Sequence, residues 1–223
     1  MQQRKSKIVV TYFLLLIFLG SINNINLSKV NFNKVENINI SGLNQFDIEI
    51  LLKDLKKLNL ENIFLLDEIA IRKIIDANTL IQKFKIFKNY PSTLVIEIEK
   101  TDFLAKINNN DSISIIGSNG KLIKNNQTSN NLPFIFGSPS ISDFLNLKKI
   151  IDSSNISYNQ IKNFYFFKSK RWDIELTNSI LIKLSNNNIK ESLDNAYEFI
   201  NNVNFKNTKV IDARIKNQLI LND

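Results

Sequence analysis

The amino-acid sequence, 223 residues long, contains neither cysteine nor histidine. Disulfides and thiolate nucleophiles are therefore excluded, and so are metal sites built from these two residue types. The lack of an imidazole base also excludes Ser-His-Asp triads. Any catalysis would have to use carboxylates, lysines or hydroxyl groups. The composition favours a protein that is not an enzyme, and it predicts no metal site and no cofactor.

Arginine is also scarce, although the chain is basic. The 29 Lys and Arg residues outnumber the 21 Asp and Glu residues and give a formal net charge of +8, yet only four are arginines: Arg4, Arg72, Arg171 and Arg214. Specific contacts to bases and phosphates favour arginine, whose planar group binds in a bidentate way. The charge is instead typical of a lysine- and asparagine-rich composition, so nucleic acid is not predicted as a partner.

A long apolar run lies near the N-terminus, over residues 8–19, directly after a basic cluster. A bilayer core requires about 20 residues of helix. We therefore predict a retained anchor over residues 8–27, with residues 1–7 as a cytoplasmic tail. The positive-inside rule then places the rest of the chain across the membrane, in a single-pass type II topology. A cleaved signal peptide is the alternative, although no A-x-A cleavage pattern is present.

The region after the apolar run has the pattern of a small α+β unit. Alternating and helical apolar spacings predict a strand over 35–41, a helix over 45–58 capped by Asn44, a second helix capped by Asp67, and hairpin strands over 81–88 and 94–99. This order places two helices on one face of a small sheet. Glu97 and Glu99 alternate with apolar residues, so they are predicted to face solvent and pair with lysines of the neighbouring strand rather than to act as catalytic carboxylates.

The second half of the chain predicts a larger α+β unit that is dominated by an antiparallel sheet. Its predicted strands cover residues 112–116, 121–123, 132–136, 161–167, 173–176, 180–184, 210–215 and 219–221. A helix capped by Ser142 is predicted to end near Ser153, and another helix over residues 189–203. Trp172 is expected in the core. A chain that ends on a strand leaves one sheet edge open.

These segments, in this order, resemble the bacterial cell-division proteins of the FtsQ/DivIB family. The resemblance is carried by a basic tail with a single anchor and by residues 35–42 (VENINISG), 90–100 (YPSTLVIEIEK), 116–123 (IGSNGKLI), 132–137 (LPFIFG), 172–176 (WDIEL) and 210–214 (VIDAR). It implies a polypeptide-transport-associated (POTRA) domain over residues 28–100 and a C-terminal β domain over residues 101–223.

The resemblance also implies a function. Members of the family are scaffolds in the inner membrane at the division septum; their periplasmic part binds the FtsB and FtsL proteins and helps to regulate septal peptidoglycan synthesis. In the family the partner segment pairs with the last strand of the C-terminal domain. By position, the resemblance assigns partner contacts to Ile211, Asp212, Arg214, Ile215, Lys216, Lys170 and Arg171.

Three alternatives stay open at this point. The chain could be a POTRA-bearing component of outer-membrane protein assembly or secretion, although neither POTRA repeats nor a barrel pattern is visible. A carboxylate-dependent peptidoglycan hydrolase is the enzymatic alternative. For Asp212 and Arg214, a plain surface ion pair worth about 0–1 kcal/mol competes with a role in partner binding.

Overall fold

The computed structural model describes residues 2–22, 34–58, 60–109, 112–124, 131–201, 208–216 and 218–222. The chain divides into two compact units, residues 1–77 with 84–99 and residues 78–83 with 100–223. Both contain helices and strands, so the predicted mixed α+β class is confirmed.

The first helix, α1, spans Gln2–Ile22, and its side chains from residue 7 to residue 20 are exposed. It contains most of the predicted anchor, whose residues 23–27 lie outside the described residues. Among the helices described, none is both long enough and apolar enough to cross a membrane. The predicted anchor is therefore not confirmed.

The N-terminal unit has the predicted order of elements. Strand β1 (Asn37–Ser41) is followed by helices α2 (Gln45–Leu55) and α3 (Glu68–Ala77) and by strands β2 (Ile81–Asn89) and β3 (Thr93–Lys100). The sheet order is β1-β3-β2, with β1 parallel to β3. Helix α2 ends three residues before the predicted Leu58, because residues 56–58 form a tight turn in which the Leu58 N–H donates to the Leu55 carbonyl.

Local signals in the sequence fix the start of both helices in this unit. The Asn44 side chain accepts a hydrogen bond from the Asp47 N–H (2.9 Å), and the Asp67 side chain accepts one from the Ala70 N–H (3.0 Å). Each satisfies a donor that a helix N-terminus leaves free. Between β1 and α2, Gly42 has a φ of +96°, and a Cβ there would lie 1.7 Å from the Ile98 carbonyl oxygen. Only glycine fits this turn.

The core of the N-terminal unit lies between the two helices and the central strand. Its fully buried side chains include Leu51, Leu55, Ile71, Ile75, Leu94 and Ile96. They recur at helical spacing on α2 and α3 and at every second residue on β3, as the apolar pattern predicts. Ile38 and Ile40 of β1 are only half-buried, while Glu97 and Glu99 are exposed as expected.

The C-terminal unit is built on one nine-stranded sheet. Its elements are β4 (Phe103–Asn109), β5 (Ser112–Gly117), β6 (Leu122–Lys124), β7 (Phe134–Phe136), α4 (Ile141–Asp152), β8 (Ile161–Phe166), β9 (Trp172–Leu176), β10 (Leu181–Leu184), α5 (Ile189–Ile200), β11 (Val210–Ala213) and β12 (Ile220–Asn222). The strand order is β12-β11-β10-β9-β8-β7-β4-β5-β6. Five of the eight pairings are antiparallel, as predicted. Helices α4 and α5 make the crossovers of two parallel pairs, β7–β8 and β10–β11.

Four local predictions for this unit are corrected. Strand β4 was not predicted, and β11 ends at Ala213 rather than at Ile215. Helix α4 is capped by Ser140, not by Ser142, because the Ser140 hydroxyl lies at the correct spacing to accept the Asp143 N–H (3.1 Å). Helix α5 ends at Ile200, and residues 202 and 203 of the predicted helix lie outside the described residues.

One face of the nine-stranded sheet is packed against α4 and α5. The shared core includes Phe144, Leu147, Leu193, Ala196, Ile135, Phe164, Ile174, Ile182 and Ile211, all at most 1% exposed. Trp172 lies in this core against Phe164 and Phe166, so its predicted packing role is confirmed. Because strand residues alternate between faces, the opposite face of the sheet presents the polar and aromatic residues that lie between these core positions.

Candidate partner-binding edge

The C-terminal sheet ends at β12 rather than at the strand that carries the assigned residues. Asp212 of β11 pairs in register with Lys183 of parallel β10 on one side and with Ile220 of antiparallel β12 on the other. The resemblance assigns Asp212 to the last strand; this placement is wrong, because β12 covers the outer side of β11. Within the part of the chain that the structure describes, β12 forms the free edge at this end of the sheet.

Asp212 and Arg214 form an ion pair within the chain. The Arg214 Nε donates to the Asp212 Oδ1 over 2.7 Å, and the Asp212 side chain is 12% exposed against 46% for Arg214. The hydrogen bond from the guanidinium lowers the pKa of Asp212 below its ordinary value. Asp212 is thus held as a carboxylate, and the guanidinium reaches solvent beside the edge strand.

The other residues assigned near this strand occupy different environments. Ile211 is completely buried and pairs with Ile182 and Leu221, so it supports the strand from the core side. Its assignment as a direct contact is corrected for this reason. Ile215 is 52% exposed and Lys216 is exposed, both in the segment that leads from β11 to β12.

Lys170 and Arg171 lie in the turn between β8 and β9. Lys170 is exposed and has a φ of +60°, a conformation that the turn imposes. Arg171 lies over the Phe167 ring at 4.3 Å and donates its Nε to the Asp173 Oδ1 over 3.1 Å. The side chain of Arg171 is therefore positioned by contacts within the turn.

Two residues that the sequence analysis missed connect these assigned positions. Asp173, Lys183 and Asp212 stand opposite one another across β9, β10 and β11. Asp173 is only 3% exposed, and burial raises its pKa, while Arg171, Lys183 and Arg214 act in the opposite direction. The structure thus places Arg171 and Arg214 in one row of charged side chains, with Asp173, Lys183 and Asp212, on the sheet face opposite the helices. The alternation in Trp172–Leu176 could have indicated this face.

A second missed feature is the network around Glu175 on the same face. Its carboxylate accepts hydrogen bonds from Tyr165 (2.7 Å), Asn163 (2.8 Å) and Lys162 (2.9 Å). The hydrogen bonds from Asn163, Lys162 and Tyr165 lower the pKa of Glu175 to about 2. Tyr165 in turn stacks on the Phe136 ring at 5.1 Å. Glu175 thereby fixes side chains of β8 on the face of the sheet opposite the helices.

Comparison with known proteins identifies the family. A model described as the FtsQ-type POTRA domain matches residues 33–100, and a model described as the C-terminal region of the cell division protein FtsQ/DivIB matches residues 105–214. The chain belongs to the FtsQ/DivIB family. It is therefore a cell-division protein, and the predicted resemblance is confirmed. The second match ends at Arg214, so the edge strand β12 lies beyond the part of the chain that the family models match.

Individual relatives agree with the family assignment. The cell division protein FtsQ of Rickettsia bellii is 26% identical over 188 residues, which cover 83% of this chain and 70% of the relative. The chain is also similar to a solved structure, the major extracytoplasmic domain of DivIB from Geobacillus stearothermophilus, with 9% identity and a TM-score of 0.32 over 42% of this chain and 85% of that chain. The structural similarity is too low to decide the fold, so membership of the FtsQ/DivIB family rests on the sequence.

Proposed function

We propose that the chain is a non-catalytic, membrane-anchored scaffold of the cell-division machinery. In this proposal residues 8–27 anchor it in the inner membrane, while the POTRA domain (28–100) and the C-terminal β domain (101–223) lie in the periplasm at the septum. The C-terminal domain binds partners of the FtsB and FtsL type and so helps to regulate septal peptidoglycan synthesis. Family membership supports the role in division.

The observation that carries the binding mechanism is the chemistry of β12. Strand β12 lies at the end of the sheet and consists of Ile220, Leu221 and Asn222, none of which is charged. An edge strand presents unpaired N–H and C=O groups, and a strand of a partner can satisfy them. Ile220, 54% exposed, lies on the solvent side of this edge and offers an apolar contact. We therefore assign the strand pairing to β12.

The assigned charges beside β12 have a different role in this proposal. Arg214 and Lys216 are exposed near the edge, and Lys170 is exposed at the β8–β9 turn. Exposed cations steer the approach of an acidic segment and fix its register more than they add to its affinity. We therefore expect the main-chain pairing to supply most of the binding free energy and the cations to select the partner.

The test compares two substitutions of the same kind. Ile220→Lys adds a charge to the edge strand, and Ile113→Lys adds the same charge on β5, where isoleucine is 48% exposed. The probe is a synthetic segment of the FtsB-like protein from the same cells, titrated into the full chain in detergent. Ile220→Lys should weaken binding by about tenfold or more, which is about 1.4 kcal/mol, and Ile113→Lys should leave binding unchanged.

Amide hydrogen exchange locates the bound segment. Strand pairing protects the amides of residues 220–222 in the complex, whereas a contact made by side chains alone leaves their exchange rates unchanged. Equal affinities of the two lysine variants, or unchanged exchange in β12, would contradict the proposed edge.

The proposed anchor needs a separate test. The apolar run over residues 8–19 supports membrane insertion. After extraction of membranes at high pH, an inserted protein stays with the lipid, and N-terminal sequencing then distinguishes a retained anchor from a cleaved signal peptide. Release of the intact full-length chain into the supernatant would contradict the anchor.

A further inference from the structure

The two edges of the three-stranded sheet differ in charge. Strand β2, one edge, carries the lysines Lys83, Lys85 and Lys88. Strand β1, the other edge, reads Asn-Ile-Asn-Ile-Ser and has no charged residue and no proline. Lysine and proline are the usual means by which an edge strand avoids pairing with another chain. Strand β1 lacks this protection.

The two edges also differ in how their side chains are covered. On β2, Arg72 of α3 lies over the Phe84 ring at 5.6 Å, and Lys88 pairs with Glu68 of α3 over 3.0 Å. On β1, the main-chain contact found on the outer side precedes the strand: the Val35 N–H donates to the Leu60 carbonyl over 3.0 Å. Among the described residues, no other main-chain hydrogen bond to the outer side of β1 is present along residues 37–41.

In the part of the chain that the structure describes, a groove runs along the outer side of β1. It has a volume of about 490 Å³ and lies between β1 and the C-terminal half of α2 with the turn that follows. Its apolar lining consists of Val35, Ile38, Leu52, Leu58 and Leu60. All except Val35 are half-buried, so their apolar surface is only partly removed from water. Charged residues of both signs lie along the groove: Lys34, Lys56, Glu36 and Glu61.

We propose that this groove is a second binding site, for an extended peptide segment of a partner protein that adds as a strand to β1. The main chain of the segment pairs with the free edge, and every second side chain, which is apolar, enters the groove between Ile38, Leu52 and Leu58. An acyl chain or a small aromatic ligand would cover the leucines but leave the N–H and C=O groups of the edge without partners. The site uses no residue beyond 61 and is therefore independent of the proposed role of β12.

The test uses the full chain in detergent and a phage-displayed library of random peptides about ten residues long, enough to form a strand along β1. We expect the selected peptides to carry apolar residues at alternate positions. Leu58→Glu, which adds a carboxylate to the groove, should weaken their binding by about tenfold. The matched control is Leu65→Glu in the same connecting segment, where leucine is 80% exposed and lies outside the groove, and it should leave binding unchanged.

Folding and location are checked in the same samples. Circular dichroism and the thermal midpoint show whether each variant is folded. Ile38→Thr, which keeps a β-branched residue on β1, is a second groove variant. Amide exchange should slow in residues 37–41 when the peptide binds.

The inference would be overturned by selection of no peptide, by equal loss of binding in Leu58→Glu and Leu65→Glu, or by exchange in residues 37–41 that is already slow in the free chain. Protection of residues 220–222 instead of 37–41 would assign the peptide to β12, which contradicts this inference but leaves the proposed division role intact.

Discussion

The edge strands of the two sheets, β12 and β1, differ in what lies beside them on the core side. In the nine-stranded sheet, Ile174, Ile182 and Ile211 on three successive strands are completely buried, and β12 adds one more strand outside them. In the three-stranded sheet, Leu94 and Ile96 of the central strand are completely buried, while Ile38 and Ile40 of the edge strand β1 are half-buried. Leu221 of β12 is likewise half-buried and packs against the core of its unit, whereas β1 is flanked by the groove that Leu52, Leu58 and Leu60 line.

Because of this difference, we expect β12 and β1 to bind a partner strand through different interactions. At β12 the core-side residue Leu221 already packs against the core of its unit, so binding of a partner strand depends mainly on main-chain pairing and on the charges nearby. At β1 an added strand would also bury apolar surface of Ile38 and the groove leucines, at about 25 cal/mol for each Å² removed from water. We therefore expect the β1 site to tolerate many apolar sequences and the β12 site to be more selective.

The largest expected effect is on stability, and it compares one isoleucine from each sheet. Ile211→Ala removes a completely buried side chain and should lower the free energy of unfolding of the C-terminal unit by about 3 kcal/mol. Ile38→Ala removes a half-buried side chain and should cost about 1 kcal/mol. The fluorescence of Trp172, which is the only tryptophan of the chain, reports urea unfolding of the C-terminal unit, and amide exchange of Leu94 and Ile96 reports the N-terminal unit.

The binding properties of the same two variants sharpen the comparison. A folded Ile38→Ala variant should lose affinity for peptides selected on the β1 groove, while a folded Ile211→Ala variant should keep it. Equal stability losses at the two positions would mean that Ile38 on edge strand β1 is packed as tightly as Ile211 on the covered strand β11, which would contradict the open groove beside β1.

The next effect compares a carboxylate from each sheet. Glu175→Gln removes the charge that accepts three hydrogen bonds and should cost about 1–2 kcal/mol at neutral pH, after allowance for the partial exposure of the Glu175 side chain. Glu97→Gln on β3, where glutamate is exposed, should leave the amide exchange of its unit unchanged.

The pH dependence tests the cause of this effect. The pKa of Glu175 falls from its ordinary value of 4.5 to about 2 in the folded chain, so its charge stabilises the fold fully above about pH 4.5 and loses this effect as the pH falls toward 2. The stability difference between the wild type and Glu175→Gln should therefore shrink across this range. A difference that stays constant down to pH 2 would assign the effect to packing rather than to charge.

Local structure was predictable where neighbouring residues determine it. The order of elements in the N-terminal unit follows from apolar spacing, and the caps Asn44 and Asp67 follow from their position before each helix. Strand β4 was missed because Leu104 and the small residue Ala105 stand side by side, so the alternation over Phe103–Asn109 is weak. The sequence predicts Ser142 as the cap because its hydroxyl directly precedes the apolar run, whereas the actual cap, Ser140, is recognised only by its spacing to the Asp143 N–H.

The candidate site was less predictable because long-range pairing builds it. Spacing alone could not show that β11 pairs with parallel β10 on its other side, since α5 separates these two strands in sequence. The Glu175 network joins side chains 10 to 13 residues apart that meet only when β8 and β9 pair. The burial of Ile211 was within reach, because it alternates with Val210 and Asp212.

The smallest effect on stability is expected for a substitution of Arg214. It compares the Asp212–Arg214 ion pair with the more deeply buried Arg171–Asp173 pair. Arg214→Gln should lower the thermal midpoint only slightly, because the guanidinium is half-exposed and the Asp212 side chain, 12% exposed, keeps some contact with solvent. Arg171→Gln should lower the midpoint, because it leaves Asp173, 3% exposed, without its nearest cation.

In titrations with the FtsB-type segment, Arg214→Gln should nevertheless slow association, since a cation beside β12 is lost and the carboxylate of Asp212 then repels an acidic segment. An unchanged association rate at low salt would remove Arg214 from the partner site, and the Asp212–Arg214 pair would then serve only to join the end of β11 to the segment that leads to the edge strand.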